Sequence, residues 1–128
     1  MKKKILVVDD DVDLVEAMRI TLENAGFDVV DAQDGTSGLA KARSEKPDLI
    51  ILDVMMDTQD EGFHVAYQLR SEPGTKDVPI IMLSAVTQQT GYKFDKNQDS
   101  DFLPVSEFLE KPIDPRKLVD KVRQHLGT

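Results

Sequence analysis

Leu49-Ile50-Ile51-Leu52-Asp53 decides the reading of this chain: four consecutive apolar residues run straight into a carboxylate. A strand with no polar face must be covered on both sides, and that is the condition of a parallel sheet sandwiched between helices. Working outward, similar short runs recur at Ile5-Leu6-Val7-Val8, at Phe27–Asp31, at Pro79-Ile80-Ile81-Met82-Leu83 and at Phe108-Leu109. Between them the apolar period changes to that of helices. Val15, Met18, Leu22 and Ala25 follow at intervals of three and four, with Asp11 placed to cap the start and Gly26 to stop the helix. Leu39 and Ala42 belong to a second helix that ends before Pro47, and a third is expected from Glu61 to Ser71. Asp114-Pro115 supplies a cap and a first-turn proline for a last helix carrying Leu118, Val122 and Leu126.

Strands alternating with helices predict an α/β, doubly wound (flavodoxin-like) fold with a five-stranded parallel sheet, as one domain over residues 1–128. Residues 86–106 interrupt the pattern. Gly91, the polar run Asp95–Asp101 and Pro104 argue against a regular helix, so the fourth helix, between the last two strands, is expected to be irregular or shortened. Tyr92, Phe94, Phe102 and Phe108 nevertheless place four of the seven aromatics in or beside this stretch, which predicts an ordered segment covering the sheet edge.

Composition narrows the function. Acids outnumber bases 24 to 16, giving a net charge of −8, so binding of nucleic acid by this chain through phosphate neutralisation is not expected. Cysteine is absent, which removes disulfides and thiolate metal sites and suits a reducing cytoplasm. The start, Met1-Lys2-Lys3-Lys4 followed by Ile5–Val8, imitates a signal peptide only briefly, because its apolar run meets three aspartates at once. No stretch approaches the roughly 18 apolar residues of a membrane span. The expected location is the cytoplasm, with no membrane partner.

Right-handed crossovers put the C-terminal ends of all the strands along one edge, and ligands of such folds bind there. Asp9-Asp10 follows the first strand, Asp53 ends the third, Ser84 the fourth, and the fifth runs into Lys111. Clustered carboxylates repel one another in a partly desolvated site, and a hard divalent cation relieves that repulsion. Oxygen ligands without His or Cys favour Mg²⁺ over Zn²⁺. A lysine and a hydroxyl beside them suit phosphoryl oxygens, and a carboxylate can itself serve as the nucleophile. Such groups supply most of what phosphoryl transfer requires.

Val7-Val8-Asp9-Asp10, Leu52-Asp53, Leu83-Ser84-Ala85 and Lys111-Pro112 together resemble the two-component response-regulator receiver family, including the chemotaxis receivers, over essentially the whole chain. The resemblance implies the strand order 2-1-3-4-5. It implies Asp53 as the phosphorylated residue, with a sensor histidine kinase or phosphotransfer protein as donor. It implies Mg²⁺, for which Mn²⁺ would substitute, held by Asp10, Asp53 and the Met55 carbonyl, with Asp9 acting mainly through metal-bound water. Ser84, Ala85 and Lys111 would bind the phosphoryl oxygens, and Ser84 with Phe108 would form the switch. The implied output is a changed surface for a downstream effector protein, with self-phosphorylation and self-dephosphorylation rather than turnover of a separate substrate.

Two features depart from the family. The loop Val54–Gly62 lacks the usual proline and carries Asp57, Asp60 and Glu61, and the interval from Ser84 to Lys111 is longer and lacks the usual Gly-Ala step. Each residue also has a plainer reading: Asp11 as a helix cap, Ser84 as a strand-end hydroxyl, Lys111 as a solvated lysine, Phe108 as core, His125 as a cation at a helix C-terminus, and His64 as surface. Three rival functions compete with this reading. A receiver-like interaction module that is never phosphorylated is opposed by the complete acid set. An aspartyl-nucleophile phosphatase needs a second acid where Met55 stands. A flavin or nucleotide binder needs a phosphate loop where Asp9-Asp10-Asp11 would repel phosphate. The chain is expected to be either a stand-alone receiver or one excised from a longer regulator.

Overall fold

The five apolar runs become β1 (Lys4–Val8), β2 (Asp28–Ala32), β3 (Leu49–Asp53), β4 (Ile80–Ser84) and β5 (Glu107–Glu110). The structure is a computed structural model and describes residues 2–53, 61–84, 105–111 and 113–127. Among these residues there are four helices: α1 (Val12–Asn24), α2 (Gly35–Glu45), α3 (Glu61–Arg70) and, after β5, α4 (Pro115–Leu126). Every strand pairing is parallel, and the order is β2-β1-β3-β4-β5. All five residues of the central strand β3 are buried, which is why its sequence shows no polar alternation.

Side chains alternate across a strand, so each strand feeds two cores. Ile5, Val7, Leu49, Ile51, Ile81 and Leu83 pack toward Val15, Met18 and Leu22 of α1 and Leu118 and Val122 of α4. Leu6, Val8, Ile50, Leu52, Ile80 and Met82 pack toward Ala42 of α2 and Val65, Ala66 and Leu69 of α3. Each fully buried aliphatic side chain contributes about 1.5–3 kcal/mol, so the sheet is a stiff platform for whatever its edge carries.

Aspartates start three of the helices, Asp11 and Asp114 as expected and Asp34 in addition. Asp11, Asp34 and Asp114 accept from the backbone N–H groups of Leu14, Ser37 and Arg116. Gly26, at φ 99, takes the left-handed turn after α1. Gly38 lets α2 come down on β1: a Cβ there would stand 2.9 Å from Val8 Cγ1. That close approach seats Val8, the residue before Asp9.

Strand ends differ from the apolar pattern by a residue or two, because backbone pairing sets them. β2 begins at Asp28, whose N–H donates to the Lys3 carbonyl, while Phe27 fills the α1-side core. β5 extends to Glu107 and Glu110, which pair in register with Ile81 and Ser84. Residues 85–104 lie outside the described residues, and with them the irregular fourth helix and most of its aromatic cover.

Candidate functional site

Strand register builds the site. β1 and β3 are neighbours with Val8 opposite Leu52, so the next residues, Asp9 and Asp53, leave the sheet side by side. Asp9 is wholly buried and Asp53 is 5% exposed, whereas Asp10 is exposed at the mouth. One carboxylate oxygen from each of Asp9, Asp10 and Asp53 lies within 4.8 Å of the others. Lys111, just past β5, reaches across the end of β4. Its Nζ stands 3.2 Å from Asp9 Oδ2 and 3.4 Å from Asp53 Oδ1. Four residues drawn from a hundred positions of sequence thus converge, as expected from their places at strand ends.

Charge does not balance there. Two like charges at 4.8 Å repel by about 3 kcal/mol at an effective dielectric near 20, and among the described residues one ammonium, paired with Asp9 and Asp53, stands by the three carboxylates. Burial alone would lower the Lys111 pKa, but the charges of Asp53 and Asp9 outweigh it and hold the ammonium above its usual range, fully protonated. Asp9 Oδ1 accepts from the Asp11 N–H at 3.0 Å. Asp9 Oδ2 is buried and, among the described residues, meets the Lys111 ammonium at ion-pair distance without a well-formed hydrogen bond. A buried carboxylate oxygen without a donor is costly. An all-oxygen donor set with excess negative charge and one orphaned oxygen fits a hard divalent cation.

The chain matches the response regulator receiver domain over residues 5–123. It belongs to that family. Among the receiver's relatives, the alkaline phosphatase synthesis transcriptional regulatory protein PhoP of Bacillus subtilis is 42% identical over 123 residues, 96% of this chain and 48% of that protein. The DNA-binding response regulator MtrA of Mycolicibacterium paratuberculosis is 37% identical over 126 residues, 98% of this chain and 52% of that protein. The chain therefore spans about half the length of the curated relatives it matches. The solved structure of the chemotaxis response regulator CheY4 of Vibrio cholerae superposes with a TM-score of 0.83 at 32% identity, covering 98% of this chain and 100% of that one. The resemblance read from the motifs is thereby confirmed, and with it the doubly wound order. Receiver domains are signalling domains.

Of the residues singled out from the sequence, Asp9, Asp10, Asp53 and Lys111 come together in the receiver. Ser84 ends β4 opposite Glu110, which puts its backbone at the same edge; its side chain is outside the described residues. Met55 and Ala85 are also outside them. Phe108 pairs in register with Met82 and packs, partly buried, against the core on the α2–α3 side. It also borders a cavity of about 480 Å³ that runs past Lys111 to Lys117. His64 is exposed on α3. The Asp11 backbone N–H is a site component that sequence reasoning missed, because a main-chain donor leaves no residue-type signal. Among the described residues, no helix is long and apolar enough to cross a membrane.

Proposed function

We propose that this receiver takes a phosphoryl group on Asp53 from the phosphohistidine of a sensor histidine kinase or phosphotransfer protein, in a Mg²⁺-dependent reaction, and passes the signal to a downstream effector protein through a changed surface. The observation that carries this reading is the unbalanced cluster, with three carboxylates within 4.8 Å of one another facing one lysine. Asp9, Asp10 and Asp53 would hold the cation, with the Met55 carbonyl added by family resemblance. When bound, Mg²⁺ (or Mn²⁺, which shares its preference for oxygen) supplies positive charge to the phosphoryl oxygens.

An Asp53 carboxylate oxygen attacks phosphorus, forming a P–O bond as the P–N bond to the histidine breaks and the imidazole nitrogen keeps the electron pair. Lys111, already 3.4 Å from Asp53 Oδ1, turns from that oxygen to the phosphoryl oxygens as charge moves outward. Ser84 and the backbone of Ala85 would donate to the same group. Phe108 would act with Ser84 as the switch, and its place beside the 480 Å³ cavity gives the ring room to turn. The same pocket would later return the phosphoryl group to water, without a separate substrate. The acidic balance of the chain supports a protein rather than a nucleic-acid partner for residues 1–128 as one domain, and the lack of cysteine supports a cytoplasmic setting.

Intact-protein mass spectrometry after incubation with a small phosphodonor and Mg²⁺ tests the proposal. Wild type is expected to gain one phosphoryl mass, Asp53→Ala none, and chelation of the metal abolishes the gain. Equal labelling of Asp53→Ala would overturn it.

A further inference from the structure

We propose that Asp11 is a positioning residue for the site, which through the first turn of α1 fixes the carboxylates of Asp9 and Asp10; the inference rests on the Mg²⁺ reading above. Three successive aspartates leave β1, and each has a different environment. Asp9 is buried, Asp10 is exposed at the pocket mouth, and Asp11 is exposed at the head of the helix.

Asp11 makes three hydrogen bonds that join these environments. Its N–H donates to Asp9 Oδ1 at 3.0 Å, its side-chain Oδ1 accepts from the Leu14 N–H at 3.1 Å, and its carbonyl accepts from the Val15 N–H at 3.0 Å. Its extended backbone, φ −85 and ψ 99, is the conformation that lets the side chain fold back over the helix end. The residue is thus acceptor for the first helical turn and donor to the site in one rigid unit.

The consequence falls on the orientation of Asp9. Oδ1 is claimed by the Asp11 amide, so Oδ2 is the oxygen left facing Lys111 at 3.2 Å, with no well-formed hydrogen bond among the described residues. If the Asp11 amide swings away, the carboxylate is free to rotate and its two oxygens become equivalent. Asp10 is pinned from both sides. The Asp9 N–H is tied to the Ala32 carbonyl in the sheet at 3.1 Å, and Asp11 is tied into the helix cap. The first N–H groups of a helix have no partner within it, so a lost cap lets this turn fray, and the fraying passes directly to both carboxylates. A cap elsewhere, such as Asp34 on α2 or Asp114 on α4, does not donate from its own N–H to a residue of the pocket in any bond seen among the described residues.

Magnesium titration of the full chain by calorimetry, well below each variant's unfolding temperature, tests this. Asp11→Ala is expected to bind Mg²⁺ about threefold to tenfold more weakly than wild type, somewhat less than the roughly 10–100-fold typical of removing a group bonded to a metal ligand. Asp11→Asn keeps the cap, since asparagine serves as well as aspartate there. Because both variants lose the charge, the difference between them isolates the cap. Asn is expected to restore most of the affinity lost in Ala, and the residue 11 amide to exchange with solvent faster in Asp11→Ala alone. Unchanged affinity in Asp11→Ala overturns the proposal, and so does Asp11→Asn binding as weakly as Ala, which would reduce Asp11 to a charge. A wild type that binds no Mg²⁺ removes the reading beneath it, an outcome visible before either variant is made.

Discussion

The two edges of the sheet carry the same kinds of charged residue under opposite rules. At the edge where the strands begin, the N–H of Lys4 donates to Asp48 Oδ2 at 2.8 Å and its Nζ meets Glu45 Oε1 at 3.0 Å. These charges have partners, and both the lysine and the glutamate are about one-third exposed. At the edge where the strands end, three carboxylates cluster, two of them buried, and among the described residues one lysine pairs with Asp9 and Asp53. Partnered charges near solvent contribute little and ask for nothing more. Unbalanced charges under burial hold the folded chain below its best attainable stability, a deficit that the proposed cation would offset. Stability given up at a working site is a common exchange in proteins.

The largest expected effect comes from making the imbalance worse. Lys111→Ala leaves Asp9 and Asp53 without their shared counter-charge, and removing one partner of a buried pair is strongly destabilising. We expect a loss of about 3 kcal/mol in urea unfolding without metal, a large part of which returns with saturating Mg²⁺, because a ligand that binds only the folded state stabilises it. An equal loss with and without Mg²⁺ would mean that the lysine is a structural strut and that the contrast between the edges has been misread.

Relieving the imbalance sharpens the comparison from the other side. Asp9→Asn keeps the shape of the side chain and removes one of three like charges, along with the orphaned anionic oxygen. The metal-free protein is expected to become more stable by about 1 kcal/mol while its affinity for Mg²⁺ falls more than about tenfold. Stability and metal affinity should therefore move in opposite directions, read by thermal unfolding and calorimetry on the same samples. A variant that loses both would show Asp9 to be held by its surroundings as a structural acid.

How much of this was legible beforehand follows from the same contrast. β3 announced itself because burial on both faces leaves no polar position in Leu49–Leu52, and the pocket was legible because a parallel sheet brings its strand ends together. Strand limits were less so: Glu107 and Glu110 pair in β5 through their backbones, and an acidic side chain gives no hint of that. Contacts between elements were the least legible. His125, read from sequence as a cation suited to a helix end, lies 2.9 Å from Glu107 Oε1, and Lys121 lies 2.8 Å from Glu107 Oε2. Burial would raise the Glu107 pKa, but its bonds to Lys121 and His125 outweigh this and hold it below the usual range. Neither helical nor strand periodicity encodes a pair that bridges the two. Asp11 was read as a cap, which it is; its second bond, to Asp9, is made by the main chain and is silent in the residue type.

The smallest effect tests the paired edge by pH. Glu72, just beyond α3, accepts from Arg43 in the last turn of α2, with Arg43 Nε to Oε1 at 2.9 Å and Nη2 to Oε2 at 2.6 Å. Its pKa falls from 4.5 to about 2, chiefly through the hydrogen bond from Arg43 and then that from Gln68. A carboxyl with a lowered folded-state pKa binds protons more readily when the chain is unfolded, so its contribution is complete above pH 4.5 and is lost as pH falls toward 2. Glu72→Gln is expected to be slightly less stable than wild type at pH 6, a small effect because the pair lies at the surface with Arg43 exposed and Glu72 partly so, and the gap should close as urea unfolding is repeated down through pH 4 and 3. Raising salt at pH 6 should close the same gap. At the opposite edge, salt should move Asp9→Asn much less, since its charges are shielded from solvent rather than by it. A gap at Glu72 that ignores both pH and salt would place its worth in packing, and the rule that separates the two edges would then have to be drawn from burial alone.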